Sequence, residues 1–400
     1  MKKIVLLAAI AALAVGCGRR TVYPDGIPQS YHAPLDKALD GSPQRDAWCE
    51  MLSELPEPQR EGAAYVLSNM PRGDVDTMSV ELMRENIDYA YRARERFEWC
   101  AALSDSIFFN EVLPYAVVDE VRDSWRGELF GLFAPIADTC ADMESAARAV
   151  NGCIPRVVGV EYNTLREKTN QSPSESMRQH MASCTGLSIL LVDALRSVGI
   201  PSRFAATAAW HDNRGNHSWT EVLVDSRWRI TEYYLPREWD KAWFMADAGQ
   251  ADAEDRMHAI YATSFAPAGD RLPMVWNEES RDVHAVNVTR RYRDIYAASE
   301  QAMQSDGRHT RLSIVMFRSA DRASESADRV AANVDIFCGE EQMGGGRTPS
   351  AERDMNDMLT LWLPKNRRYT LLYEGGDGQM HRRHVDLKEE PLTVSLFADE

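Results

Sequence analysis

The sequence predicts an α+β fold: a cysteine-headed helix followed by antiparallel strands, with a helical region before this core and a small β-sandwich after it. Three observations predict it. Leu187, Leu190, Leu191, Ala194, Leu195 and Val198 follow Cys184 at helical spacing, and Gly199 and Pro201 end the pattern. Alternating runs then occupy Arg203–Trp210, His217–Val224 and Trp228–Tyr234, separated by Asp212-Asn213-Arg214-Gly215-Asn216 and by Asp225-Ser226. From about residue 305 onward, short strand-like runs replace the helical texture.

Taken in order, Lys2-Lys3 precede an apolar run from Ile4 to Val15, which is too short to span a bilayer and has the pattern of an export signal. The run ends Leu13-Ala14-Val15-Gly16-Cys17, which resembles a bacterial lipoprotein box. That resemblance implies a signal over residues 1–17, lipid on Cys17 and a membrane-anchored protein of the bacterial cell envelope, on its periplasmic or surface face. Ordinary cleavage after Ala12-Leu13-Ala14 is the alternative, and it also exports the chain. Residues 18–40, with Pro24, Pro28 and Pro34, read as a flexible tether.

Residues 41–139 read as a helical N-terminal domain, with Ala47, Trp48, Met51, Leu52 and Leu55 at helical spacing and a second such run through Leu82–Tyr91. Met143–Val150 is a further helical run. Ser172-Pro173-Ser174-Glu175 is a capping box with proline at the first helical position, so a short helix leads to Cys184. Leu312–Phe317, Val334–Phe337, Tyr369–Tyr373, Val385–Leu387 and Leu392–Phe397, broken by turns such as Gly375-Gly376-Asp377-Gly378, read as an appended, non-catalytic β-sandwich over residues 305–400.

Composition excludes several classes. A chain of 400 residues, 44% hydrophobic and with ten tryptophans, is long enough for real cores. A formal charge of −16 leaves no basic stripe for phosphates and argues against nucleic acid. No Gly-rich phosphate loop, HExxH run or CxxC pair occurs, so neither a metal nor any cofactor is expected. His381 and His384, flanking Arg382-Arg383, read as a solvated face. Apart from Cys17 and Cys184, the cysteines are Cys49, Cys100, Cys140, Cys153 and Cys338. Bridges between Cys49 and Cys100 and between Cys140 and Cys153 are open, as is the reading of small buried hydrophobes.

The chemistry gathers around Cys184. A thiol at a helix N-terminus feels the positive end of the helix dipole, which favours the thiolate. His217, delivered by a neighbouring strand, can take or return its proton. Glu232, on the next strand, can hold the imidazole in one tautomer. Glu238 and Asp240, just beyond Pro236, and Asp225 in the hairpin turn are rival carboxylates. His217, Trp219 and Glu221 share one strand face. Trp219 is therefore expected to wall the site and bind substrate, and Glu221 either supports it or is a surface charge. Trp125 and Arg126 read as a buried tryptophan with a satisfied arginine. His180, His211, His258 and His284 read as packing or surface residues.

Cys184 before its helix, His217-Ser218-Trp219-Thr220-Glu221-Val222, and Trp228 four residues before an acid resemble the transglutaminase-like (papain-type) cysteine enzymes over roughly residues 140–298. A longer similarity to exported bacterial proteins with this domain includes Leu113-Pro114-Tyr115, Asp123-Ser124-Trp125-Arg126, Gly215-Asn216-His217 and His258-Ala259-Ile260-Tyr261-Ala262. The resemblance implies a papain-like core. Its third catalytic residue is usually Asp, where this chain has Glu232. Gln179 stands before the nucleophile much as papain-type enzymes place an oxyanion donor, and is expected to bind substrate in that role. The implied activity is acyl transfer by a cysteine nucleophile, with hydrolysis of amide bonds in protein, peptide or glycopeptide. The alternative is a catalytically silent surface scaffold that binds peptide or glycan.

Overall fold

The computed structural model describes residues 22–234, 238–323, 326–354 and 356–399. The expected signal and Cys17 lie outside the described residues.

At the centre is the helix Cys184–Ser197. The Ser183 side chain caps it, accepting from the Gly186 N–H at 3.1 Å and donating to the Thr169 carbonyl at 2.6 Å. Its apolar run predicts one buried face, yet every residue from Thr185 to Ser197 is buried. The reason is that both sides of the helix are covered. Leu187, Leu190, Leu191, Ala194 and Leu195 pack into the core of the preceding helices, while Ile189 and Val192 pack with Phe204, Ala206 and Tyr261 of a sheet. Arg196 donates to the carbonyls of Glu111, Ser202 and Ala116 at 3.0–3.1 Å, and Arg126 donates to the Arg196 carbonyl at 3.1 Å. The helix stops at Gly199 (φ +74°), where an added Cβ would lie 2.5 Å from the Cys100 Cβ.

The sheet beside it has six strands, all antiparallel to their neighbours. In spatial order they are Arg227–Thr231, His217–Val224, Ser202–Thr207, Ile260–Ser264, His284–Asn287 and Asp270–Arg271. Its register sets His217 opposite Thr207 and Trp219 opposite Ala205. Asp225 and Ser226 both adopt positive φ (49° and 59°), the backbone of a tight hairpin.

On the other side lie helices Arg45–Glu54, Glu57–Asn69, Val80–Arg96, Trp125–Ala137 and Met143–Val158. They share one continuous core with the cysteine helix, running from Tyr23 to Val224. The boundary expected near residue 140 therefore does not separate two cores, because Leu187, Leu190, Leu191, Ala194 and Leu195 of the cysteine helix are buried against these helices. The tether expectation also needs correction from residue 22 onward. His32–Leu39 is a helix, Leu35 and Leu39 are fully buried, and Tyr23 and Ile27 pack into the same core. The prolines there start and shape short helical turns.

The C-terminal region is a two-sheet sandwich with its own core around Leu312, Ile336, Tyr369, Leu371 and Leu396. One sheet orders Glu341–Arg347, Asn333–Cys338, Arg367–Glu374 and Met380–Leu387. The other orders Leu359–Pro364, His309–Phe317 and Leu392–Phe397. Strand Glu341–Arg347 carries Gly344-Gly345-Gly346 and gives no hydrophobic alternation to read. A Cβ on Gly346 would lie 2.1 Å from Cδ1 of Leu359 on the facing sheet, so a larger residue there would have to displace that side chain. The six described cysteines carry free thiols. No helix among the described residues is long and apolar enough to cross a membrane.

Candidate active site

The structure brings Cys184, His217 and Glu232 together. Cys184 opens its helix, His217 opens its strand, and Glu232 follows directly on the strand Arg227–Thr231. The Nε2 of His217 lies 2.8 Å from Oε1 of Glu232, and both side chains are only 12% exposed. The thiol of Cys184 is hydrogen-bonded to the same ring. With Nε2 engaged by the carboxylate, Nδ1 is left to face the sulfur.

Electrostatics follow from these contacts. Burial would push the Cys184 thiol up, but the His217 hydrogen bond and charge, together with the backbone N–H groups of Ser218 and Thr185, bring it below its ordinary value. Burial would likewise push His217 down, yet its bonds to Cys184 and Glu232 raise it to about 9. The two opposite shifts favour the thiolate–imidazolium form of the pair.

The imidazole is boxed by rings, with centroids at 5.0 Å for Trp243, 5.1 Å for Phe244, 5.7 Å for Trp219 and 6.2 Å for Trp210. Trp219 is fully buried behind His217, with its Nε1 donating to the Tyr292 hydroxyl at 2.6 Å. It supports the imidazole from behind and offers no surface to a substrate, which corrects the expectation of a site wall. Gln179 is also displaced from its expected role. Its Oε1 accepts from the Glu167 N–H at 3.0 Å and its Nε2 donates to the Glu167 carboxylate at 3.1 Å, which commits the amide to the preceding loop.

The rival carboxylates are engaged elsewhere. Asp240 accepts from Arg229 at 2.7 Å and from the Ile230 N–H at 3.0 Å; Glu238 is exposed and pairs with Lys241. Asp225 stays in the hairpin turn. Arg126 is buried and donates to Asn86 and four backbone carbonyls, so it is a structural residue.

Two residues of the site carry no sequence signal. Trp243 donates to the Glu232 carboxylate at 3.2 Å. Asn151 is 3% exposed on Met143–Val158. It donates to Thr231 Oγ1 at 3.0 Å and to the Glu232 carbonyl at 2.9 Å, and accepts from the Tyr234 N–H at 2.7 Å. An asparagine in a helix looks like solvated surface until the strand it anchors is known. Among the described residues, His211, Asp212 and Asp247 come together in the manner of metal ligands. Arg214 already bridges the two carboxylates, occupying the place a cation would take.

Residues 132–233 match the family model of the transglutaminase-like superfamily. No curated protein matches the chain. Among solved structures, a candidate cysteine protease from Cytophaga hutchinsonii is similar at 18% identity and a TM-score of 0.27, over 34% of this chain and 44% of that one. Red sea bream transglutaminase is similar at 11% identity and a TM-score of 0.32, over 74% of this chain and 65% of that one. The chain thus spans less than two thirds of the length of either. The family match takes in the cysteine helix, the histidine strand and the residue that faces the histidine, and by it residues 132–233 form a transglutaminase-like domain.

Proposed function

We propose that this chain is an exported cysteine enzyme that hydrolyses amide bonds of protein, peptide or glycopeptide, and that it is anchored to a membrane of the cell envelope through lipid on Cys17. The observation that carries the catalytic reading is the double engagement of one imidazole, by the Cys184 thiol on one side and Glu232 at 2.8 Å on the other. In this reading the Cys184 sulfur attacks the amide carbonyl and forms a tetrahedral intermediate. The first-turn N–H of Cys184, which has no intrahelical partner, is offered to its oxyanion. His217 gives its proton to the departing amine, leaving a thioester. His217 then takes a proton from the water that attacks the thioester, which releases the acid and regenerates the thiolate–imidazolium pair. Glu232 fixes the ring and stabilises its charged form. The anchoring part of the reading is supported by Leu13-Ala14-Val15-Gly16-Cys17 alone.

The test is to present a cell-envelope extract to the purified protein and read intact mass, with the wild type and Cys184→Ala in parallel. An acyl adduct on Cys184, displaced by hydroxylamine and absent from Cys184→Ala, is expected. No adduct, together with no preferential reaction of a thiol-directed probe at Cys184, would leave a catalytically silent binding scaffold.

A further inference from the structure

Three residues on one face of the histidine strand do different work. His217 carries the imidazole, Trp219 stacks behind it at 5.7 Å and 29°, and Glu221 is fully buried one step further along. Glu221 accepts from Arg203 Nε at 2.9 Å, from the Tyr292 hydroxyl at 2.5 Å and from Arg291. The Tyr292 hydroxyl in turn accepts the Trp219 indole N–H at 2.6 Å. Arg291 and Tyr292 belong to the helix Thr289–Ser305, outside the residues 132–233 that match the family.

We infer that Glu221, Tyr292 and Arg291 are positioning residues for His217 and act on it through Trp219, an inference that rests on the catalytic reading above. The physical argument is one of orientation. A buried indole with only ring neighbours is held by shape alone, and its rotation about the terminal torsion is soft. A hydrogen bond to its single N–H fixes the ring plane, and a donor chain ending on a buried carboxylate fixes the acceptor. Burial and the neighbouring Glu221 hold the Tyr292 hydroxyl protonated across the working range, so its proton stays directed at Glu221 and its lone pair at Trp219. Glu221 lies between Arg203 and Arg291, which balance its charge inside the protein. The helix Thr289–Ser305 thus belongs to the catalytic unit, as the clamp that sets the plane of the ring against which the imidazole rests.

The test reads the thiol rather than turnover. Full-length Tyr292→Phe keeps the ring and deletes the hydroxyl. Carboxamidomethylation of Cys184 by iodoacetamide is followed by peptide mapping from pH 5 to 10, with the near-ultraviolet spectrum as the check on folding. The expected result is alkylation ~tenfold slower than wild type at pH 6, the size of a one-unit loss in thiolate stabilisation, with equal rates at pH 10 where the thiol is ionised in both. A folded variant with the wild-type profile at every pH overturns the inference. Should Tyr292→Phe not fold, the wild-type protein labelled with 15N-tryptophan carries the test. The Trp219 indole resonance should shift on alkylation of Cys184, and no shift overturns the inference. A wild-type thiol inert at pH 6 instead defeats the enzyme reading, and the positioning role falls with it.

Discussion

Trp243 hydrogen-bonds through Nε1 to Oε1 of Glu232 at 3.2 Å, the same oxygen on which His217 rests at 2.8 Å. Two donors on one oxygen fix a side chain that is a methylene longer than aspartate, so length is offset by restraint. Glu232→Gln should lower kcat on an amide substrate by roughly 10²–10⁴-fold while leaving the fold intact, since an amide supports the wrong tautomer. Trp243→Phe should cost far less, about tenfold, because the Glu232–His217 contact remains. Wild-type kcat in Glu232→Gln, with a crippled Asp240→Asn, would give the role to the loop.

The pH dependence follows from opposite shifts in one pair. His217, raised to about 9, keeps its proton below that value, while Cys184, lowered from its ordinary value, loses its proton at lower pH than a free thiol. Activity should therefore rise on an acid limb that reports Cys184 and fall on an alkaline limb near 9, where the imidazolium is lost. A kcat/KM profile that is still rising at pH 10 would exclude the pair. Labelling at pH 6 should select Cys184 ahead of Cys100, which burial pushes up to about 12.

Asn151 ties the segment Thr231–Tyr234, which carries Glu232, to the helix Met143–Val158 through three hydrogen bonds. Asn151→Ala leaves the Glu232 carbonyl and the Tyr234 N–H without that partner, so it should cost about 2 kcal/mol or more in denaturant unfolding. Turnover should fall as Glu232 loses its register. Unchanged stability would show that water replaces the side chain.

Leu35 and Leu39 are fully buried in the main core. Leu35→Ala should destabilise by about 2–5 kcal/mol, the range for truncating a buried leucine. A true tether would show no change in thermal or denaturant midpoint.

For the anchor, wild-type protein expressed with its own N-terminus in a bacterial host should partition with membranes or detergent, because multiple acyl chains bury enough CH₂ groups for stable attachment. Cys17→Ser should stop maturation or move the protein to the soluble fraction. Sequencing an unmodified mature N-terminus that begins at Val15 would end the lipid reading.

The cysteine helix was legible in the sequence because its signals are local. Ser183 caps it, apolar residues recur every three or four positions, and Gly199 ends it. The same holds for the Ser172 capping box and for the alternation that sets His217, Trp219 and Glu221 on one face. Strand runs such as Tyr369–Tyr373 were equally plain, whereas the glycine strand Glu341–Arg347 was not, since glycine carries no alternation. Only the tertiary structure decided which carboxylate meets His217. Glu232, Glu238 and Asp240 lie within nine residues of one another, and their roles separate because Arg229 and Lys241 occupy two of them. It also decided that Trp219 lies behind the imidazole and that Gln179 is spent on Glu167. Periodicity and capping depend on neighbours a turn away. The direction of a side chain depends on partners 70 or more positions distant, as between Trp219 and Tyr292, and no local pattern encodes them.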